Sequence, residues 1–564
     1  MMRDRELKVQ IKQSDVFHQI DCCEDSDYTI MVKERESILD VLAARDSAIS
    51  AVCGGSGRCG KCKIKVLSGY LPASTADKAY FTEEELQAGM RLACKAYPSE
   101  PLQIALQFHQ ESAFEVLGDS VQSSSRSSGA VAGGRAEKKD ARTVAAYSAI
   151  EAPLGIAIDI GTTTIAVQLL ETITGKKLAV YTSINHQRSF GADVISRILA
   201  STQGKEEELR RLIRKDLADG VRSVVGKAGV LPEQIGEAAI AGNTTMIHLL
   251  MGYDCKGLGK FPFTPVNIEM ITNTYESIIG DDFLKATVHI LPGISAFVGG
   301  DIVAGLYSCD FDIQKEYSLL IDLGTNGEIA LGNQDKIMVT STAAGPAFEG
   351  GSITFGVGSI EGAISGVTID GQGTHICTIA DKTPVGICGT GVIEAVSELV
   401  RTELIDDTGC LDDMYFDDGY ILGEAEDGTK ILLTQADIRE VQLAKAAVRA
   451  GVETLFLRYG IEKEAVSRVY LAGGFGFKLD CEKAIQIGMI PECFAGKIET
   501  VGNSSLGGAV KFLLSKENRE RVSAIGRNAR EINLSPDKDF NQLYMDAMYF
   551  DTKKIQSGYR MDLL

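Results

Sequence analysis

Four cysteines early in the chain have the types and spacing of a metal-binding loop. Cys53, Cys59 and Cys62 follow a C-x5-C-x2-C pattern, and Cys94 comes later in "RLACKAYP". Thiolates from one wrapped loop and one distant segment can hold a [2Fe–2S] cluster. Wrapping a chain around an inorganic core needs positive φ angles and close backbone approach, which glycine supplies. Gly54, Gly55, Gly57 and Gly60 lie within this loop. Two other readings stand beside the cluster: a zinc site, or a redox dithiol at Cys59 and Cys62. Zinc has no need of four glycines, and a dithiol has no use for a third and fourth cysteine.

A second group of residues could handle phosphate. "DIGTTT" (159–164) and "DLGTNGE" (322–328) each place an aspartate at the end of an apolar run, followed by glycine and threonine. In a tight hairpin the glycine lets backbone N–H groups approach phosphate oxygens, and threonine hydroxyls add donors. The aspartates can hold the water shell of Mg²⁺, which favours oxygen ligands. A single D-x-G is also ordinary turn chemistry. "VYLAGGFGFKLD" (469–480) adds a third element, an apolar run opening into Gly473, Gly474 and Gly476, where a flat base could lie against bare backbone.

The elements that must position these residues can be read coarsely. Residues 1–112 hold short alternating runs such as "YTIMVKE", one helical stretch at "SILDVLAARD", and the cysteine loop. Residues 113–152 include "GDSVQSSSRSSGAVAGGRAEKKDAR", which is nearly free of large apolar residues and reads as a flexible linker. A region carrying both Gly-Thr turns follows, its first part over 153–230 and its main part over 231–564. "LGIAIDIGTTTIAVQLL" and "YSLLIDLGTNGEIALG" both read as strand, turn, strand, and a spacing of about 160 residues predicts two halves built alike. "ADIREVQLAKAAVRAGVETLFLRYG" (436–460) has helical periodicity, which points to an α/β architecture.

Composition excludes several classes of function. With 57 Lys and Arg against 77 Asp and Glu, the formal charge of −20 argues against non-specific nucleic-acid binding. No run approaches the roughly 20 apolar residues of a membrane span. The start, "MMRDRELKVQIKQSD", lacks an apolar secretion core, so the expected location is the cytoplasm, where 13 cysteines do not read as a disulfide framework.

The cysteine spacing resembles the adrenodoxin and putidaredoxin branch of ferredoxins, which implies a β-grasp fold. The later motifs resemble the actin, sugar-kinase and Hsp70 ATPase superfamily in order: phosphate 1, connect 1, phosphate 2, adenosine and connect 2. "SAFVGGDIVAGLYS" (295–308) and "GNSSLGGAVKF" (502–512) resemble the two connecting helices. That resemblance implies two ribonuclease-H-like lobes around Mg-ATP. By position, Asp159 and Asp322 would flank the metal. Gly161, Thr162, Thr163, Thr164, Gly324, Thr325 and Asn326 would meet phosphates, and Gly473, Gly474 and Gly476 the adenosine. Asp301 is the candidate for orienting the attacking water, with Glu328 in reserve; Asp301 as a plain helix N-cap is the alternative.

The whole arrangement, with "AAGPAFEGGSITFGVGSIEGAI" (343–364), resembles the reductive activators of corrinoid proteins. The resemblance implies ATP-dependent return of Co(II) to Co(I) in a methyltransferase system. It also implies a Co(II) corrinoid protein as partner, and an upstream low-potential donor. Self-association into a homodimer stays open. The C-terminal "YMDAMYFDTKKIQSGYRMDLL" has no cysteine, unlike relatives with [4Fe–4S] runs, and so places the chain in the [2Fe–2S] branch. Ser352 is a candidate for contacting the corrinoid's lower face, against a turn serine bonded to its own backbone. Competing readings are a small-molecule kinase with a redox-sensing cluster, and a non-catalytic electron carrier. A 2-hydroxyacyl dehydratase activator would lack the ferredoxin cysteines.

Overall fold

The structure is a computed structural model. It describes residues 6–13, 28–33, 37–39, 42, 57, 60, 62–99, 101–106, 153–474, 479–515, 517 and 519–550. The expected linker over 113–152 lies outside the described residues. Two compact units are drawn from the chain: one from ranges 1–112, 184–216 and 248–266, the other from 113–183, 217–247 and 267–564.

The first unit contains a five-stranded sheet. Its strands are β1 (Glu6–Gln13), β2 (Tyr28–Lys33), β3 (Lys63–Ser68), β4 (Met90–Leu92) and β5 (Leu102–Leu106), in the order β2-β1-β5-β3-β4. β1 and β5 run parallel at the centre, and the remaining pairs are antiparallel. This mixed order is that of a β-grasp. Ile38, Leu39 and Leu42 are helical and buried, packed in one core with Ile64, Leu92 and Ile104.

The second unit holds two larger sheets. In the first, β6 (Leu154–Ile160), β7 (Thr164–Glu171), β8 (Lys177–Ile184), β9 (Ile235–Gly242), β10 (Ile271–Thr274) and β11 (Thr287–Ile290) take the order β10-β11-β9-β6-β7-β8. In the second, β12 (Tyr317–Leu323), β13 (Gly327–Gly332) and β14 (Ile337–Thr342) form the antiparallel part. The later strands Val466–Ala472 and Ile498–Gly502 continue that sheet in parallel from β12. Both sheets thus repeat one plan: an antiparallel leading hairpin whose first strand is continued by two strands parallel to it, with an Asp as the penultimate residue of that leading strand. β6 and β12 are buried over nearly their whole length because helices cover the sheet faces, so they read as continuous apolar runs without alternation.

Two helices join the lobes. α1 spans Gly300–Ser308 and α3 spans Ser504–Leu514, with α2 (Gln435–Tyr459) between them in sequence. α1 and α3 cross at glycine. A Cβ on Gly508 would sit 2.1 Å from the Ala304 carbonyl oxygen, and one on Gly305 would sit 2.8 Å from Ser504 Oγ. Only bare backbone permits this approach. The core around them draws on both sheets, through Ala157, Ala239, Leu320 and Tyr470.

Candidate active site

In the first unit, Cys62 and Cys94 are buried, at 1% and 3% exposure. Local hydrogen bonds fix both. Asp77 caps the helix Thr75–Tyr80 through Ser74, and its other oxygen accepts from the Leu92 N–H at 2.7 Å. The Ala93 N–H then donates to the Cys62 carbonyl at 2.7 Å, which ties the two cysteine segments together. Gly57 and Gly60 have φ of 82° and 65°. A Cβ on Gly57 would lie 2.6 Å from Lys95 Cε, and one on Gly60 2.6 Å from Tyr80 Cδ1. The loop therefore needs glycine at both positions for conformation and for space. Cys53, Cys59, Gly54 and Gly55 lie outside the described residues.

In the second unit, the two Gly-Thr turns come from the leading hairpins of the two lobes. Gly161 N–H closes the β6–β7 turn onto the Thr164 carbonyl at 2.9 Å, and Gly324 N–H closes the β12–β13 turn onto Asn326 at 3.0 Å. Thr163 and Thr325 hydroxyls are 3.4 Å apart, so the turns meet. Thr162 accepts from Asn243 Nδ2 at 3.0 Å.

Asp159 and Asp322 are held by the start of α3. Asn503 Nδ2 and Ser505 Oγ donate to Asp159 at 2.8 and 2.6 Å, and Ser504 Oγ donates to Asp322 at 3.3 Å. Desolvation raises Asp159 above the usual carboxylate range, against the pull of these two donors. Desolvation and then the Asp159 charge push Asp322 up to about 7. Asp301 also rises to about 7, through desolvation first and then repulsion from Asp159. Glu328 stands well above the ordinary glutamate value, through desolvation and the charges of Asp301 and Asp322. All four keep part of their surface open to solvent while surrounded by protein.

Asp301 is not the helix N-cap. Gly299 holds that position, and Asp301 sits in the first turn of α1, where its carboxylate accepts from the Ile302 N–H at 2.9 Å. That frees its charge to face the other acids. Gly473 has φ 99°, and a Cβ there would meet the Leu323 carbonyl at 2.2 Å and Asp322 Oδ1 at 2.9 Å. Gly474 differs, since nothing lies within 4 Å of a Cβ there. Gly476 lies outside the described residues. Ser352 is exposed, in the loop after β14.

Residues 23–99 match the 2Fe-2S iron-sulfur cluster binding domain. Residues 154–314 match the RACo middle region, and 316–560 match the C-terminal domain of RACo, the ASKHA domain. The chain is 35% identical over 428 residues to the "Corrinoid activation enzyme RamQ" of Eubacterium limosum, covering 71% of each chain. The chain belongs to the corrinoid activation enzyme family. It is also 27% identical to the "[Co(II) methylated amine-specific corrinoid protein] reductase" of Methanosarcina barkeri, over 71% of this chain and 77% of that one. The solved structure of a "Reductive activator for corrinoid,iron-sulfur protein" aligns over 97% of this chain and 98% of its own, with TM-score 0.66 and 29% identity. For this corrinoid activation family member, the expected pairing of a ferredoxin domain with an actin-like ATPase fold is therefore present. Among the described residues no helix is long and apolar enough to cross a membrane.

Several residues of the cleft were not singled out in the sequence. Asn503, Ser504 and Ser505 were legible as a helix start, with Asn503 as N-cap to Leu506 N–H at 2.7 Å, but not as the residues that grip both aspartates. Asn243 stands outside the quoted stretches, and Glu349 lies within "AAGPAFEGGSITFGVGSIEGAI" without having been singled out.

Proposed function

We propose that this protein returns the cobalt of a corrinoid protein from Co(II) to Co(I), passing one electron from its ferredoxin domain in a step made favourable by Mg-ATP. Family membership supports the reaction, through relatives whose names describe corrinoid activation and Co(II) corrinoid protein reduction. The observation that carries the ATP part is the meeting of two Gly-Thr hairpins from two lobes, with Asp159 and Asp322 gripped by one helix start.

The residues fit the groups proposed for them. Cys62 and Cys94 would supply two of four thiolates, with Cys53 and Cys59 the other two. Gly57 and Gly60 take the positive φ that wrapping a loop around a cluster calls for. When bound, such a cluster relays single electrons at low potential, near about −400 mV for plant-type centres. In the cleft the donor set is all oxygen and all acidic, which suits Mg²⁺. Asp159 and Asp322 would hold its water shell, and a cation beside them would offset the desolvation that raises both and the Asp159 charge that further raises Asp322.

The remaining roles belong to this chain's own groups. Gly161, Thr162, Thr163 and Thr164 on one lobe, with Gly324, Thr325 and Asn326 on the other, would present N–H and hydroxyl donors to phosphate. Gly473, Gly474 and Gly476 would leave a flat surface for adenosine. Asp301, raised in pKa and open at the helix start, would take a proton from water attacking the terminal phosphate, with Glu328 beside it. Nucleotide-dependent lobe closure would bias partner affinity, with α1 and α3 as the crossing that moves. A Co(II) corrinoid protein is the partner proposed, and an upstream low-potential donor reloads the cluster. Ser352 would reach the corrinoid from its exposed loop. A homodimer is the proposed assembly, which sizing by light scattering tests.

The deciding experiment mixes the anaerobic protein with a Co(II) corrinoid protein and a reductant. Co(I) absorption should grow with Mg-ATP and stay absent without it. No Co(I) under both conditions sinks the proposal.

A further inference from the structure

The loop that follows β14 touches both phosphate-type turns through one carboxylate. Pro346–Glu349 forms a short 3-10 turn between Gly345 (φ 78°) and Gly350 (φ 75°). Glu349 Oε2 accepts from the Thr163 hydroxyl at 2.7 Å. Its two oxygens lie 3.1 and 3.2 Å from the Thr325 hydroxyl, which donates to them. Thr163 belongs to the first lobe and Thr325 to the second. A single side chain therefore gathers one hydroxyl from each lobe.

A hydroxyl has one proton to give. Given to a carboxylate in a charge-assisted bond, it is not available to a phosphate oxygen. Two anions at hydrogen-bond range of the same pair of hydroxyls also repel each other. Glu349 and a nucleotide phosphate are competitors for Thr163 and Thr325.

The loop's anchoring shows where displacement would go. Thr354 donates its N–H and its hydroxyl to the buried Asp437, at 2.7 and 2.9 Å. Ile387 N–H donates to the Phe355 carbonyl at 2.9 Å, and Val357 N–H donates to the Ile387 carbonyl at 3.0 Å. Ile353 is fully buried. The segment is thus pinned at Ala347 and Phe348, both buried in the core, and again from Ile353 onward. Movement of Glu349 must be absorbed between Glu349 and Ser352, and Ser352 is exposed.

We propose that Glu349 is a latch displaced by nucleotide phosphate. Held to Thr163 and Thr325, it fixes the 349–352 segment; expelled by phosphate, it releases that segment and changes the surface carrying Ser352. The inference rests on the Mg-ATP reading above and adds the residue through which nucleotide occupancy reaches the partner-facing loop.

Hydrogen exchange and calorimetry on the full-length protein test it. The reporters are the Gly350 and Gly351 amides, which donate to the Ala347 and Pro346 carbonyls. Saturating Mg-ATP should raise their exchange in the wild type by tenfold or more. Glu349→Gln and Glu349→Ala should show fast exchange without nucleotide, and should bind Mg-ATP about tenfold more tightly as the competing charge is lost. A merely structural glutamate would give variants with lower Tm and unchanged or weaker ATP binding. That result, or wild-type exchange indifferent to Mg-ATP, overturns the latch while leaving the ATP reading intact. Absence of any ATP binding by wild type and variants alike overturns both.

Discussion

Asp322 and Glu328 stand directly opposite each other on adjacent strands, one at the end of β12 and the other at the start of β13. The matching pair in the first lobe is Asp159 and Ala166. The duplicated plan is therefore broken at one point, where the second lobe adds an acid. Like charges facing across strands are unfavourable, at roughly 0.2–1 kcal/mol. Glu328→Gln should raise stability at pH 8 by up to about 1 kcal/mol, read by urea denaturation. ATP turnover should fall by on the order of a hundredfold as a proton-handling group is lost. Unchanged turnover would remove Glu328 from the chemistry.

The two described adenosine-type glycines should part company. Gly473→Ala forces a left-handed alanine against the Leu323 carbonyl and should lower stability by about 2 kcal/mol. Gly474→Val meets open space. It should leave the denaturation midpoint in place and weaken ATP binding at least tenfold by calorimetry.

The helix crossing makes a similar contrast. Gly508→Ala drives a methyl into the Ala304 backbone and should cost about 2 kcal/mol or more, with slowed ATP hydrolysis. Gly226 lies in the helix Glu206–Ala228 with nothing near a Cβ. Gly226→Ala should add roughly 0.5–1 kcal/mol and leave activity alone.

Cys94→Ser should abolish the visible absorption and the bound iron and sulfide while Mg-ATP binding persists. Retained iron at wild-type stoichiometry would exclude Cys94 as a ligand.

The buried Glu398 sets an acid limit. Burial opposes its charge, but donors from Arg401, Lys483 and the Ile369 amide outweigh that and hold its pKa at about 2. The folded value lies below the unfolded one. Its contribution is complete above about pH 4.5 and is lost as pH falls toward 2. Glu398→Gln should cost about 3 kcal/mol at pH 7 by removing the negative charge that Arg401 and Lys483 share. It should also flatten the stability loss between pH 4.5 and 2 in urea titrations.

The amino-acid order by itself determined the local pieces. Strand–turn–strand at both Gly-Thr motifs follows from apolar runs broken by glycine, and the structure places them at β6–β7 and β12–β13. Helical periodicity over 436–460 becomes α2, Gln435–Tyr459. Glycine at 57 and 60 foretold a loop with positive φ. Tertiary structure decided what spacing cannot encode, namely which distant groups share a charge field. Asn503 and Ser505 reach Asp159 across more than three hundred residues of chain. Asp301 left the N-cap to Gly299 and turned toward the acids. Glu349, in a quoted stretch but not singled out there, closes on hydroxyls from both lobes. Periodicity and turn chemistry are local and legible in order; electrostatic competition depends on distance through space, which only the folded chain defines.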